Sequence, residues 1–308
     1  MDYLSQDVAS VINYPGSFKN RMICHIDASD FNSLVKGYVA TTGTVTGTSG
    51  TTSLTTSADL SLVAPPGAVI LVNSVDLYTI STINATTITT VETLSANYIA
   101  SAISLDRITT VQDKGLRGNN LAAALAAQRF IYIPSGINGL PSFASYQSAM
   151  ILADASGKFD RNPDMTICMV LQQKLTATGN ADYNLVRKWT GSQLEFLIDS
   201  NDVGNSYIAG VSSTGADSAF SSTIAQPALN TTMFMALNIR KSRSFFEVNG
   251  TINEITLASP PRGTTQFLVG QATAGIGFWL GELCWFDGAL TPYEYAHVKD
   301  KLSRKWGI

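Results

Sequence analysis

Gly281-Glu-Leu-Cys-Trp-Phe-Asp-Gly-Ala-Leu-Thr-Pro-Tyr-Glu294, continued to Lys305-Trp-Gly-Ile308, carries a strand, a turn and a capped helix in one short stretch. Leu283-Cys-Trp-Phe286 is a short apolar run bounded by turn residues, which reads as a strand. Thr291 can cap a helix, Pro292 suits its first position and Glu294 completes a capping box. Tyr295, Val298, Leu302 and Trp306 then share one face. Lys299, Lys301, Arg304 and Lys305 favour the C-terminal end of the helix dipole, and Gly307 ends the helix.

Upstream, the same strand signature repeats. Met165-Thr-Ile-Cys-Met-Val-Leu171, Leu194-Glu-Phe-Leu-Ile198, Thr232-Met-Phe-Met-Ala-Leu-Asn-Ile239, Phe245-Phe-Glu-Val248 and Gln266-Phe-Leu-Val269 are strand candidates. Met233, Met235, Leu237 and Ile239 alternate, as expected when one face of a strand is buried against a second sheet. Asn249-Gly250 is a strong hairpin signal, because both residues tolerate positive φ. Many short strands with turns between them predict an all-β sandwich.

A second texture interrupts this pattern. From Gly37 to Asp106 there is no Lys or Arg, and Thr is dense over 41–56. Gly67-Ala-Val-Ile-Leu-Val72, Val75-Asp-Leu-Tyr-Thr-Ile80 and Thr86-Thr-Ile-Thr-Thr-Val91 read as strands, separated by turn candidates at Asn73-Ser74 and Asn84-Ala85. Pro65-Pro66-Gly67 cannot continue a central strand and is read as a turn. The expected organisation is an N-terminal arm over 1–21, a discontinuous sandwich over 22–40 and 104–308, and an inserted Thr-rich small β domain over 41–103. Within the arm, Leu4, Val8 and Val11 share one face of a short helix that Tyr14-Pro15-Gly16 terminates. That face docks either on the body of this protein or on a neighbouring subunit.

Composition narrows the function. The chain of 308 residues is 45% hydrophobic but only 14% charged, against a usual charged share of about 25%. A formal net charge of −3 argues against nucleic acid and anionic lipid as partners. No apolar run approaches the roughly 18 residues of a membrane span. Met1-Asp-Tyr-Leu-Ser5 lacks the basic and apolar regions of a secretory signal. Cys24, Cys168 and Cys284 are odd in number, far apart and set in apolar stretches, so they read as reduced core thiols of a protein made in a cytoplasm. Leu121-Ala-Ala-Ala-Leu-Ala-Ala127 has helical composition but is short.

Four segments together resemble the concanavalin A-like lectin/glucanase superfamily, in the LamG-like jelly-roll form common in phage and bacterial surface proteins. They are His25-Ile-Asp-Ala-Ser-Asp30 through Leu34; Val111-Gln-Asp-Lys114 through Asn119-Asn120, with Ile137-Asn-Gly-Leu-Pro141; Phe246-Glu-Val-Asn-Gly-Thr251; and the stretch from Gly281 to Ile308 quoted above. The resemblance covers about 23–36 and 108–308 and implies a jelly-roll sandwich. It makes 121–127 a loop or short turn. Gly43-Thr-Val45, Ala68-Val-Ile-Leu71, Leu77-Tyr-Thr-Ile80 and Thr87-Ile-Thr89, ending at Tyr98, resemble a small barrel-like module associated with phages, although the usual Gly before the tyrosine strand is missing. Together the two resemblances imply a tailed-phage virion protein, residing in the virion.

The candidate chemistry is sparse. Laminarinase-type enzymes on this fold use paired carboxylates about 5 Å apart in a Glu-x-Asp-x-x-Glu pattern, and none of Glu92, Glu195, Glu247, Glu254, Glu282 and Glu294 has that spacing. Glu195 and Asp199 could share a face but read as an exposed strand ending in a turn, and Glu282 reads as a structural hydrogen-bonding group. His25 and His297 neighbour no nucleophile, and His25 beside Cys24 is too few ligands for zinc. Asp199-Ser-Asn-Asp202 through Asn205 supplies calcium-type oxygens but reads as a solvated turn, with Val203 where a ligand would be needed. Asp27 with Asp30, and Asp160 with Asp164, read as capping or turn residues.

A non-enzymatic phage structural protein is expected, as a capsid decoration or tail accessory, with no metal and no cofactor. It would pack against other capsid or tail subunits and form a homo-oligomer, the Leu4, Val8 and Val11 arm contributing to assembly. The alternative is a glycan-binding, receptor-recognising module of a tail fibre or spike. Its aromatic platform would be Trp189 with Tyr183 and Tyr207, while Trp279, Trp285 and Trp306 belong to the core.

Overall fold

The computed structural model describes residues 21–61, 63–115, 118–123, 125–146, 149–152, 164–175, 182–190, 193–201, 206–211, 220–240, 243–255, 267–270 and 277–308. Its first strand, β1 (Met22–Asp27), is followed by a long strand β2 (Leu34–Gly47), and β2 pairs along its length with an equally long β7 (Tyr98–Val111). Between them lie β3 (Ser53–Thr56), β4 (Val69–Val72), β5 (Asp76–Asn84) and β6 (Thr87–Thr90). The ladders run β2–β3–β6–β5–β4–β7 and return to β2, all antiparallel, so six strands close into a barrel. Closure removes free edges. The barrel is filled by Val45, Leu54, Ile70, Val72, Tyr78, Ile80, Ile88, Tyr98, Ile103 and Leu105.

The turn residues behave as their chemistry requires. Asn73 (φ 52) and Ser74 (φ 61) both take the left-handed conformation at the β4–β5 hairpin, and Gly67 has φ 82 after its two prolines. The expected boundaries at 41 and 103 fall inside β2 and β7, which run through them without a break. The ladder is irregular there, between Ala40 and Thr44. The alternation expected of barrel strands holds for β3 and β6. It holds in β4 as well, where Ile70 and Val72 fill the barrel and the outward residues, Val69 and Leu71, are apolar too.

The rest of the chain is a jelly-roll sandwich. Its first sheet runs through β9 (Ile131–Ile133), β10 (Ser142–Tyr146), β21 (Gly277–Asp287), β12 (Met165–Leu175), β17 (Thr232–Ile239), β18 (Ser244–Val248) and β19 (Thr251–Ile255). β1 shares one side of β21 with β10: β10 takes 277–280 and β1 takes 282–286. The second sheet runs β8 (Leu121–Ala122), β11 (Ala149–Leu152), β20 (Phe267–Gly270), β13 (Asp182–Thr190), β14 (Gln193–Asn201), β15 (Ser206–Val211) and β16 (Phe220–Ala225). β7 reaches both sheets, pairing with β9 and β8. Between the sheets lie Ile167, Met169, Met233, Met235 and Leu237 against Val186, Phe196, Ile198, Phe267 and Val269. Trp285 is wedged among the rings of Phe267 (4.8 Å) and Phe196 (5.8 Å).

The alternation in β17 holds, but its other face is buried too. Phe234 and Ala236, with Cys168, Val170, Cys284 and Phe286, lie beneath a C-terminal helix α1 (Pro292–Trp306) that contributes Val298, Leu302 and Trp306. Farther along the same face, Ile131, Ile133, Ala144 and Tyr146 belong to the core that continues into the barrel. The expectation of one buried face missed this third layer, because the helix stripe does not reveal which sheet it covers. The predicted capping box is present: the Thr291 side chain accepts the Glu294 N–H, and Glu294 accepts the Thr291 N–H. The 121–127 stretch is a two-residue strand followed by a short 3₁₀ turn (Ala126–Gln128), as the jelly-roll resemblance implies. Among the described residues no helix is long and apolar enough to cross a membrane.

Helix and sheet approach closely at one point. A Cβ added to Gly281 would lie 2.8 Å from the Trp306 ring, whereas one added to Gly37 meets nothing within 4 Å. Trp306 is fully buried, and its ring nitrogen donates to Glu282 (3.0 Å), which limits how far the ring can shift. Gly281→Ala is therefore expected to lower unfolding free energy by roughly 1–3 kcal/mol, while Gly37→Ala stays within about 0.5 kcal/mol. Urea denaturation of the two variants checks the contrast.

Candidate functional site

The chemistry-bearing residues of the fold converge where β1 meets β21 and the end of α1. β1 has a neighbour in β21 on one side; its other edge is satisfied by the 111–120 loop. Asp113 Oδ1 accepts the backbone N–H groups of His25 (2.7 Å) and Gly115 (2.7 Å), and its Oδ2 accepts that of Asn119 (2.8 Å). The Lys114 N–H donates to the His25 carbonyl (3.0 Å), and the Asn119 side-chain amide donates to the Ile23 carbonyl (2.7 Å). The loop thus replaces a missing strand with short polar groups, which keeps the edge from pairing with another chain.

On the face under α1, β1 and β21 place Asp27 opposite Glu282 and His25 opposite Cys284. Glu282 is 0% exposed. One of its oxygens lies 2.7 Å from His25 Nε2; the other accepts from Lys305 Nζ (2.7 Å) and Trp306 Nε1 (3.0 Å). Lys305 also donates to Asp27 Oδ1 (2.7 Å), and Lys114 Nζ lies 3.2 Å from Asp27 and 3.1 Å from Asp30. Three carboxylates therefore face Lys114, Lys305 and a protonated His25. Burial alone would raise the Glu282 carboxyl and Asp27 would add to this, but His25 and Lys305 outweigh both and hold it low. Burial opposes ionisation of Asp27 as well, and Lys305 and Lys114 hold it well below the usual carboxylate range. Burial works against the His25 imidazolium, yet Cys284 and Glu282 together raise it well above its ordinary value.

A second buried glutamate anchors the other end of α1. Glu247 on β18 is also 0% exposed; it accepts from the Tyr295 hydroxyl and from Lys299 Nζ. At the helix start, Arg21 donates to Glu294 (3.1 Å) and to the Ala289 carbonyl (2.8 Å).

His25 Nε2, Glu282 and Cys284 Sγ lie within 4.8 Å of one another, the number of protein ligands a catalytic zinc site uses. Zinc needs a thiolate and a neutral imidazole. Burial, first among several causes, pushes the Cys284 thiol up to about 11, and His25 retains its proton. In this structure the Glu282 carboxylate of the cluster is paired with Lys305 and Trp306. Cys24, Cys168 and Cys284 are free, buried thiols, as expected.

Of the residues expected to bind glycan, Tyr207 is the one whose side chain is described, and strand register places it and Tyr183 on either side of Ser200. Tyr207 is 0% exposed, and its hydroxyl donates to Gln173 inside the sandwich. It presents no stacking face, and that expectation is corrected. Its strand alternates inward at Tyr207 and Ala209, a parity that Ser-Tyr-Ile-Ala-Gly did not disclose. Tyr183 and Trp189 lie on β13 opposite Ser200 and Leu194; their side chains lie outside the described residues, as does that of Glu195. Leu4, Val8 and Val11 lie outside them too, as do Asp160 and 202–205 of the calcium-type loop. β14 does not end in a turn at Asp199; it continues to Asn201, and Asp199 is buried. Asp30 caps a 3₁₀ turn and Asp27 Oδ1 accepts the Ser29 N–H (3.0 Å) in the preceding turn, both as expected, and Asp27 is in addition drawn into the ion network. The roles of Lys114, Asp113, Lys305 and Trp306 were missed. Their signal was membership in the same four segments that carry the family resemblance.

No known family's sequence profile matches the chain, and no curated protein matches it. Among solved structures it is similar to the binding domain of botulinum neurotoxin DC in complex with SialylT (11% identity, TM-score 0.47, covering 64% of this chain and 51% of that one). It is also similar to the receptor-binding domain of botulinum neurotoxin mosaic serotype C/D (9%, TM-score 0.49, 63% and 50%). A Trypanosoma rangeli sialidase mutant gives 12% identity, TM-score 0.47, and coverage of 64% and 31%. The chain spans about half the length of the neurotoxin domains and less of the sialidase. Likenesses of this depth assign neither family nor activity.

The ion network sets a pH profile. His25, raised in the folded state, contributes stability in full below its unfolded value near 6.5, and that contribution is lost as pH rises through the folded value. Asp27 and Glu282, held low, contribute above about pH 4 and lose that contribution as pH falls. Denaturant midpoints measured across pH should fall on both sides of a plateau. His25→Gln should flatten the alkaline decline and Asp27→Asn the acid one; an unchanged alkaline slope in His25→Gln contradicts the assignment.

Proposed function

We propose that this chain is a non-enzymatic structural protein of a tailed-phage particle, made in the host cytoplasm and working by packing its β surfaces against neighbouring capsid or tail subunits. The observation that carries the reading is the outer wall of the barrel. β4 is apolar on both faces, with Val69 and Leu71 outward, and Val75, Leu77 and Val91 are exposed on and beside β5 and β6. The stretch from Gly37 to Asp106 contributes no cation. A strand apolar on both faces is the mark of a strand covered on both sides, and a contiguous exposed apolar patch marks a contact surface. The buried carboxylates support the same reading, since Glu282, Glu247 and Asp27 are spent on holding α1 against the sheet. In this reading the barrel over 41–103 is an inserted unit that meets neighbours, and the 1–21 arm assists through Leu4, Val8 and Val11.

A second reading, a glycan-binding module of a fibre or spike, is favoured by one observation: exposed aromatic rings beside an ion pair at Phe31, Lys36, Tyr38 and Asp106.

Density-gradient fractionation followed by immunogold electron microscopy tests the first reading. The chain is expected to band with intact particles and to label their surface. Deleting residues 1–16 is expected to abolish incorporation with the thermal midpoint of the isolated protein unchanged. A chain that remains in the soluble fractions refutes the particle role.

A further inference from the structure

We propose that Cys168 and Cys284 are a paired modification site, which closes a disulfide bond between β12 and β21 when the protein meets a disulfide oxidant such as glutathione disulfide. The site goes beyond the particle reading and does not depend on it.

Cys168 and Cys284 are far apart in the chain yet are direct partners in the ladder that joins β12 to β21. Directly opposed residues of an antiparallel ladder have Cα atoms about 4.5–5.5 Å apart, inside the roughly 4.4–6.8 Å that disulfides span. Partners across a ladder project to the same face. Here it is the face beneath α1, in the cluster that includes Val170, Phe234, Phe286 and, from the helix, Val298 and Leu302. Both residues are free, buried thiols. Cys24 does not belong to the pair: its ladder partner is Trp285, and it lies in the core between the two sheets, on the opposite face.

The two thiols are not equivalent. Burial raises both; His25, hydrogen-bonded to Cys284, offsets part of that rise there, whereas Glu247 adds to it for Cys168. Cys284 is therefore the first to ionise and attack. Its thiolate attacks one sulfur of glutathione disulfide, whose S–S bond breaks and releases a glutathione thiolate. The Cys168 thiolate then attacks the Cys284 sulfur, breaking the mixed disulfide and releasing the second glutathione. The protein gives up two electrons and two protons, and the oxidant takes up both as two glutathione thiols.

Access sets the rate. Cys168 is 0% and Cys284 2% exposed, so the oxidant reaches them when α1 lifts from the sheet, a local opening. Once formed, the bond ties two adjacent strands in the interior of the first sheet and encloses β13–β20 in a covalent loop, which restricts the unfolded chain. Where glutathione is kept reduced the pair stays open, and an oxidising medium closes it.

The full chain is equilibrated in glutathione buffers from fully reduced to fully oxidised, with urea below the unfolding transition to populate the opening of α1. It is then quenched in acid, alkylated in denaturant and mapped by peptide mass spectrometry. In oxidised buffer Cys168 and Cys284 are expected to leave the alkylated pool together and to appear as one cross-linked peptide pair lighter by two hydrogens, while Cys24 stays alkylated. The thermal midpoint is expected to shift upward relative to the reduced protein. Cys168→Ser should stop at a mixed disulfide on Cys284 and show no such shift. Leu302→Ala, which removes an α1 anchor and neither sulfur, should speed closure by roughly tenfold or more; an unchanged rate overturns the gating by α1. The wild-type map decides the bond itself, whatever the variants do. Three alkylated cysteines after equilibration in oxidised buffer, a bond that includes Cys24, or a glutathione adduct on Cys284 that accumulates without closing each overturn the proposal.

Discussion

The Glu282 carboxylate is the constraint on which the rest of the sandwich depends. A carboxylate with no exposure to water costs several kcal/mol in effective desolvation unless it is fully paired. Here the pairing comes from three directions: His25 on β1, and Lys305 and Trp306 on α1. Lys305 reaches on to Asp27, and Asp27 to Lys114 in the loop that closes the edge of β1. One buried charge on β21 thereby fixes a strand, a loop and a helix that lie far apart in the chain. Removing any partner leaves an uncompensated ion in the interior, so these groups are held together by the penalty for separating them as much as by their attraction.

This arrangement also determines what the fold can do. Over β12, β17 and β21 the first sheet is buried on both faces, and the buried carboxylates Glu282 and Glu247 are paired where they lie. In the reading proposed above, contact with neighbouring subunits falls to the barrel wall around β4 and β5. The β2–β7 ribbon joins barrel and sandwich through two long paired strands, with register irregularities between Val35 and Lys36, Ala40 and Thr44, and Val45 and Gly47. A load on the barrel is thus transmitted to the sandwich through two long strands rather than through a flexible tether.

Much of the architecture was legible in the residues because local chemistry dictated it. Thr291-Pro-Tyr-Glu294 specifies a helix start whatever surrounds it, and Asn249-Gly250 turns a hairpin because both positions adopt positive φ (47° and 88°). The reading of the three cysteines as core thiols followed from their apolar neighbours, and that of Glu282 as a structural group from its place in a segment that carries the family resemblance. The barrel was legible through the resemblance to a small barrel-like module, but its strand order was not, since that depends on which short runs meet in space. The burial of Tyr207 was hidden by strand parity, and the contact between Gly281 and Trp306 by separation along the chain.

Native-state hydrogen exchange of β1 and α1 amides, in the wild type and in Glu282→Gln, tests the central claim most directly. A shared buried network predicts that amides of Ile23–Ile26 and of Val298–Leu302 open with the same free energy. It predicts that both lose about 3–5 kcal/mol of protection together in the variant. Protection of α1 that is unaffected by the substitution, or that differs from that of β1 in the wild type, contradicts it.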